Sequence, residues 1–121
     1  SLPLFEVLEL LGFAKIAKGD IELTPSGKAF CEADILGRKK VFAYHLMRHI
    51  PLAAHIYHTL QDLPKQRSSR RRFLKELKAY MSIEEAIETL SVIINWGRYA
   101  ELFAYDTEQD QLSLENSEAE E

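Results

Sequence analysis

Cysteine is almost missing from this chain of 121 residues, which contains Cys31 and no other. A single thiol cannot form an intramolecular disulfide, so a disulfide framework is excluded and a reducing compartment fits best. No apolar run approaches the roughly 20 residues that a membrane-spanning helix needs, and no signal peptide opens the sequence. These absences favour a cytoplasmic globular domain.

Glycine is too sparse for a phosphate-binding loop. Such a loop needs several closely spaced glycines, because backbone N–H groups must approach the anion. The five glycines stand apart, and no Walker-type lysine motif accompanies any of them. We therefore expect no nucleotide site of this kind, and the single cysteine excludes a zinc site built from cysteines.

Catalytic and metal-binding constellations are also missing from the sequence. His45 and His49 are four residues apart, and His55 and His58 are three apart, but no acidic residue lies between the first and the last of them. A stable metal site needs a third or fourth ligand, so structural or surface roles are favoured over metal binding. Because no nucleophile, base and orienting group can be assembled either, we expect no catalytic residue, no metal and no cofactor.

Charge is distributed unevenly along the chain, although the formal net charge is only -4. Seven lysines and arginines lie between Lys65 and Lys78, against the single acid Glu76. From Asp106 to the end there are seven acids and no base. This pattern allows nucleic-acid binding, autoinhibition by the tail, or two solvated faces, of which the last is the most common outcome.

The first part of the chain favours a helix followed by a hairpin. Residues Leu4 to Leu11 carry apolar side chains at the helical period, and Gly12 can end that helix in a left-handed conformation. Residues Phe13 to Leu23 alternate around the turn Lys18-Gly19-Asp20, which predicts a β-hairpin.

Helices are predicted for the middle of the chain. Thr24 can cap a second helix that runs to about Asp34, with Pro25 in its first turn. A long helical region follows from Arg38 to Leu63, and Pro51 should break or kink it, because proline removes a backbone donor.

The basic region is predicted to be a polar loop, Pro64 to Ser69, followed by a helix with the arginine triplet in its first turn. Positive charge there opposes the helix dipole, which slightly favours a partner for Arg70, Arg71 and Arg72.

The clearest helix begins after Ser82, which forms a capping box with Glu85. Its predicted core stripe is apolar throughout: Ile83, Ala86, Ile87, Leu90, Ile93, Ile94 and Gly97. Two strands, Ala100 to Tyr105 and Gln111 to Leu114, should follow it.

The run from Trp96 to Glu101 is the most distinctive in the sequence. One interpretation is a helix end that turns into a strand, with Trp96 and Tyr99 packed on the core. The other is a partner surface, because aromatic residues and arginine anchor interfaces. The candidate interaction residues are therefore Arg70, Arg71, Arg72, Trp96, Arg98 and Tyr99.

The order helix, hairpin and Leu-Thr-Pro-x-Gly near the N-terminus resembles the recognition helix and wing of a winged-helix domain. The two helices that normally precede such a helix are absent, and the chain begins with Ser1 rather than Met, so we expect a fragment of a longer protein. The expected domain spans 1–115, and 116–121 is expected to be a disordered acidic tail.

Several longer strings resemble the C-terminal AAA-associated domain, which follows the ATPase module in ATP-binding subunits of nitrate-, sulfonate- and taurine-type ABC transporters. They are ELLGFA from Glu9, GDIELTP from Gly19, FCEADI from Phe30, RHIPL from Arg48 and NWGRYAELFAYD from Asn95. The resemblance extends from about Leu2 to Glu115.

This resemblance implies a bacterial, cytoplasmic, non-enzymatic regulatory domain at the inner face of the cell membrane. Its implied partners are the ATPase module of the same polypeptide and the membrane subunits of the transporter, which imports anions. A small anionic ligand and a homodimer remain open. The expected fold is mainly α with small β-hairpins, winged-helix-like.

The alternative function is a DNA-binding winged helix, in which Arg70, Arg71, Arg72 and Lys75 would contact phosphates. The negative net charge counts against nucleic acid, and so do Glu6 and Glu9 on the first helix.

Overall fold

The computed structural model describes residues 3–114, which divide after Pro51 into two compact units, here called unit 1 and unit 2. The helices are α1 (Leu4–Leu10), α2 (Pro25–Glu32), α3 (Ile35–His49), α4 (Pro51–Asp62), α5 (Arg70–Leu77) and α6 (Ile83–Tyr99). The strands are β1 (Ala14–Ala17), β2 (Asp20–Leu23), β3 (Arg67–Ser69), β4 (Ala104–Asp106) and β5 (Gln111–Ser113). The predicted fold class, mainly α with small β-hairpins, is confirmed.

In unit 1, α1 leads through Gly12 into the antiparallel hairpin β1–β2. Gly12 has φ +81°, a left-handed conformation that glycine adopts without steric cost. Ala14 pairs with Leu23 and Ile16 with Ile21, so these four apolar side chains share one face of the hairpin. The helix and hairpin that the sequence predicts are both present.

The Thr24 hydroxyl joins the hairpin to the next helix. Its Oγ1 accepts a hydrogen bond from the Gly27 N–H at 3.0 Å and donates one to the Gly12 carbonyl at 2.6 Å. The predicted cap is therefore confirmed, although α2 ends at Glu32 and not at Asp34. Asp34 instead caps α3, which begins three residues before the predicted start at Arg38.

The core of unit 1 forms where the end of α1 meets α3. Leu11, Phe13 and Ala14 are buried, and the ring of Phe13 lies 4.6 Å from that of His45. His45 is itself buried, and its Nδ1 lies 2.7 Å from the Leu11 carbonyl oxygen. That bond satisfies a carbonyl at the C-terminal end of α1.

Unit 2 contains α4, α5 and α6 and a three-stranded antiparallel sheet in the order β3-β5-β4. The prediction of a loop over Pro64 to Ser69 is wrong in its second half, because Arg67–Ser69 is the edge strand β3. Ser68 pairs with Leu112 of β5, which lies 44 residues later in the chain. A polar run of three residues has no alternation that could reveal such a partner.

The predicted capping box of α6 is confirmed. The Ser82 hydroxyl accepts from the Glu85 N–H at 3.1 Å, and the Glu85 carboxylate accepts from the Ser82 N–H at 3.4 Å. Five members of the predicted apolar stripe are buried, while Ile83 and Ile87 are partly exposed. The stripe is therefore narrower than the sequence suggests.

Other boundaries also differ from the prediction. The chain turns at Glu101, which has φ +58°, and the Leu102 N–H bonds to the Gly97 carbonyl, so β4 begins only at Ala104. The helix α5 ends at Leu77, and Tyr80, three residues beyond that end, is 87% exposed. The predicted disordered tail, 116–121, lies outside the described residues.

Candidate functional site

The arginine triplet at the start of α5 is the centre of the candidate site. Successive residues of an α-helix point about 100° apart, so three consecutive side chains cannot share one direction. Arg71 and Arg72 line one surface depression of unit 2, and Arg70 lines another. The structure therefore divides the triplet between two sites.

The larger of these sites, the β3–α5 depression, has a volume of about 610 Å³ and is open to solvent. It is lined by Ser68, Ser69, Arg71, Arg72, Lys75 and Glu76. Arg72 is fixed within it, because its Nε donates a hydrogen bond to the Ser68 hydroxyl at 2.9 Å. The Ser68 hydroxyl donates in turn to the Ser69 carbonyl at 3.1 Å, and Ser68 is only 8% exposed.

Glu76 is the one acid among the lining residues of the β3–α5 depression, and it is engaged by His55 of α4. The His55 Nε2 and the Glu76 Oε1 lie 2.8 Å apart. Both side chains are exposed, so this contact contributes little stability, although it gives the carboxylate a preferred direction.

The smaller site, the α6 depression, has a volume of about 180 Å³. It is lined by Arg70, Ser91, Ile94, Asn95, Arg98 and Tyr105. Arg70 is held by a hydrogen bond from its Nη2 to the Ser91 hydroxyl at 3.1 Å. Two guanidinium groups from α5 and α6 therefore line one small concavity.

Tyr105 lines the α6 depression, and its hydroxyl is held by Asp110. Its O–H donates to Asp110 Oδ1 at 2.6 Å, and this bond is the main reason that the pKa of Tyr105 is raised above its usual value of 10.0. Burial and the negative charge of Asp110 act in the same direction, whereas Arg70 and Arg98 oppose them. Tyr105 is therefore a neutral hydrogen-bonding group at physiological pH.

Four of the six candidate interaction residues line the two depressions. Arg70 and Arg98 line the α6 depression, whereas Arg71 and Arg72 line the β3–α5 depression. Trp96 is partly buried and Tyr99 is partly exposed at the end of α6, and neither is among the lining residues of the two depressions. An interface role for these aromatic residues stays a prediction.

Sequence reasoning did not find the hydroxyl groups of the two sites. Ser68 and Ser69 line the β3–α5 depression because β3 pairs with β5. Ser91 lines the α6 depression because it lies on the face of α6 that borders it. No local motif distinguishes these serines from solvent-exposed ones, so the sequence carried no signal for them.

The histidines have partners within their own units. In addition to the contacts of His45 and His55, the Nδ1 of His58 lies 3.4 Å from the Gln61 Oε1. Over residues 3–114, no group of three or more histidines, cysteines and acids is placed to hold a metal. None of the helices in that part of the chain is long and apolar enough to cross a membrane.

These features define a small, mainly α protein with a localised basic surface. The chain belongs to the family of C-terminal AAA-associated domains, whose family model matches residues 1–106. The resemblance drawn from the sequence strings is thereby confirmed at the level of the family. Searches for similar curated proteins and for similar solved structures gave no match.

Proposed function

We propose that this domain is a non-catalytic regulatory or interaction module appended to the ATP-binding subunit of a nitrate-, sulfonate- or taurine-type ABC importer. In this role it docks on the ATPase module of the same polypeptide and modulates ATP hydrolysis at the inner face of the membrane. The observation that carries the proposal is the family match over residues 1–106.

The hairpin of unit 1 supplies a surface that suits such docking. Ile16 and Ile21 are paired across the strands, and they are 55% and 64% exposed. The opposite face carries the charged pair Lys15 and Glu22. An exposed apolar pair on a hairpin is the kind of surface that proteins cover with a partner.

The test measures ATP hydrolysis by the complete ATP-binding protein and by the same protein without this domain, at several concentrations of substrate anion. We expect a change in rate or in its dependence on the anion. The double variant Ile16→Ser with Ile21→Ser should reproduce the effect of the deletion, whereas the matched double variant Lys15→Ser with Glu22→Ser should not. Identical rates with and without the domain would remove the proposal.

DNA binding is the second candidate, and the order of elements in unit 2 favours it. Three helices followed by a hairpin, α4, α5, α6 and then β4–β5, is the layout of a winged helix with its wing. In that layout α6 would enter the groove, but it begins with Glu84 and Glu85 and also carries Glu88. These carboxylates would face phosphates, so binding should be weak.

A titration of duplex DNA at low salt distinguishes the two functions. The regulatory proposal expects no saturable binding. Binding that weakens steeply with salt and is lost in Arg98→Gln would favour the DNA-binding alternative instead.

A further inference from the structure

We propose that the β3–α5 depression binds a small oxyanion of the phosphate or sulfate type, either free or as part of a small molecule. The proposal goes beyond the regulatory role and is independent of it, because it depends only on residues of unit 2. It rests on four features of the depression: a fixed guanidinium, two further cations, uncapped backbone donors and a restrained acid.

Arg72 is the fixed guanidinium. Its one hydrogen bond to another described residue uses Nε, and the acceptor is the buried hydroxyl of Ser68. This anchor leaves the paired Nη groups available for an external acceptor. Two parallel N–H donors match two oxygens of an oxyanion, and such charge-assisted pairs are about twice as strong as neutral hydrogen bonds.

Arg71 and Lys75 add two exposed cations to the lining of the depression. They lie four residues apart on α5, so their side chains are neighbours on the helix surface. A cluster of three like charges has an unfavourable self-repulsion, which a bound anion relieves.

The N-terminal end of α5 adds backbone donors to the same place. Its N-cap residue, Ser69, makes no side-chain capping hydrogen bond. The Arg70 N–H donates to the Asp110 carbonyl at 3.0 Å, which accounts for the first donor of the turn. The next N–H groups of a first helical turn have no intrahelical acceptor, and the helix dipole favours negative charge there.

Glu76 would oppose an anion, but its carboxylate is directed toward His55 by their 2.8 Å contact. The basic surface is also local. Between residues 52 and 114 there are eight lysines and arginines against nine acids, and seven of those eight bases lie between Lys65 and Lys78. A single compact anion fits this local charge better than an extended polyanion, which would also meet the acids of α6.

The test is a titration of the isotope-labelled 121-residue chain with inorganic phosphate and with sulfate, followed by NMR at constant ionic strength balanced with sodium chloride. We expect saturable shifts of the backbone amides of Ser69, Arg71 and Arg72 and of the Arg72 Nε–H. The variant Arg72→Gln should weaken binding about tenfold, since it removes charge-assisted hydrogen bonds.

Matched variants separate a site from general charge effects. Lys65→Gln removes the same charge from the adjoining loop and should leave the affinity unchanged. Glu76→Gln removes the acid and should tighten binding roughly two- to fivefold, a gain that a folding defect cannot produce. Arg98→Gln, in the α6 depression, should have no effect on these shifts.

Three outcomes would overturn the proposal: shifts that do not saturate, equal weakening by Lys65→Gln and Arg72→Gln, or tighter binding to duplex DNA than to phosphate. Vesicles with and without phosphatidic acid identify the source of the anion. Binding to phosphatidic acid that depends on Arg72 and competes with free phosphate supports the same site with a lipid headgroup as its ligand.

Discussion

The hairpin β1–β2 of unit 1 stands as a two-stranded sheet, whereas the hairpin β4–β5 of unit 2 is extended by β3 along the free edge of β5. The consequence is visible at two apolar strand residues. Leu112 of β5 is completely buried, but Ile21 of β2 is 64% exposed. A third strand and the packing of α6 on the sheet turn the second hairpin into part of a core. In the first hairpin Ala14 is buried, but the outer pair of the apolar face, Ile16 and Ile21, stays exposed.

The two hairpins therefore use their apolar residues for different purposes. In the hairpin of unit 2 a buried residue supplies stability, because burying a Leu or Ile side chain contributes about 1.5–3 kcal/mol. In unit 1 the exposed residues of the hairpin contribute little to folding and are available to a partner. The contrast can be tested by deleting side chains in each unit.

The largest effect is expected for Leu112→Ala, because it leaves a cavity in the centre of the three-stranded sheet. We expect a loss of about 2–5 kcal/mol in the free energy of unfolding, measured by chemical denaturation. Hydrogen exchange should localise the loss to unit 2.

The control for Leu112→Ala is Val92→Ala, a partly exposed apolar deletion on α6 of the same unit. It should cost much less. Equal losses in the two variants would contradict the assignment of Leu112 to the core.

An intermediate effect is expected at two glycines that lie against neighbouring groups. A Cβ at Gly27 in unit 1 would overlap the backbone carbonyl oxygen of Phe13, and a Cβ at Gly97 in unit 2 would overlap the ring of Phe103. Each Gly→Ala variant should therefore lose about 1–3 kcal/mol by overpacking.

The two glycine variants should differ in whether they can be rescued. The ring of Phe103 can be removed, so Phe103→Ala should offset part of the cost of Gly97→Ala in a double-mutant cycle. The Phe13 carbonyl cannot be removed by substitution, and it also accepts from the Thr24 N–H at 3.0 Å. Lys28→Ala, an exposed substitution beside Gly27, is the control. If Gly27→Ala leaves the free energy of unfolding unchanged, Gly27 does not lie close enough to the Phe13 carbonyl oxygen to exclude a Cβ.

Local signals made much of the fold predictable. The capping box of Ser82 and Glu85 and the turn at Gly19 are read from neighbouring residues, and both are present in the structure. The strand β3 was missed because it depends on pairing with β5, far along the chain.

The candidate site was also predictable only where it depends on neighbouring residues in the sequence. The arginine triplet is visible in the sequence, but its division between two depressions follows from where α5 begins. The anchoring of Arg72 by Ser68 requires β3 to be in place, so it could not be inferred from spacing.

The smallest effect is expected for Ile21→Thr in unit 1. The side chain is mostly exposed and lies opposite Ile16 on the outer part of the hairpin, so the substitution removes little buried surface. Threonine keeps the β-branched shape that strands favour. The free energy of unfolding of the 121-residue chain should change by no more than about 0.5 kcal/mol.

The same substitution becomes informative in the complete ATP-binding protein. If the ATPase module covers the hairpin there, Ile21→Thr should destabilise this domain in the longer protein more than in the 121-residue chain, because the residue is then buried at an interface. Hydrogen exchange of the β1–β2 amides in both contexts measures the difference. If the β1–β2 amides are equally protected in both contexts, the apolar face of unit 1 is not the docking surface. If Ile21→Thr lowers the free energy of unfolding of the 121-residue chain by more than about 1 kcal/mol, Ile21 instead stabilises unit 1 itself.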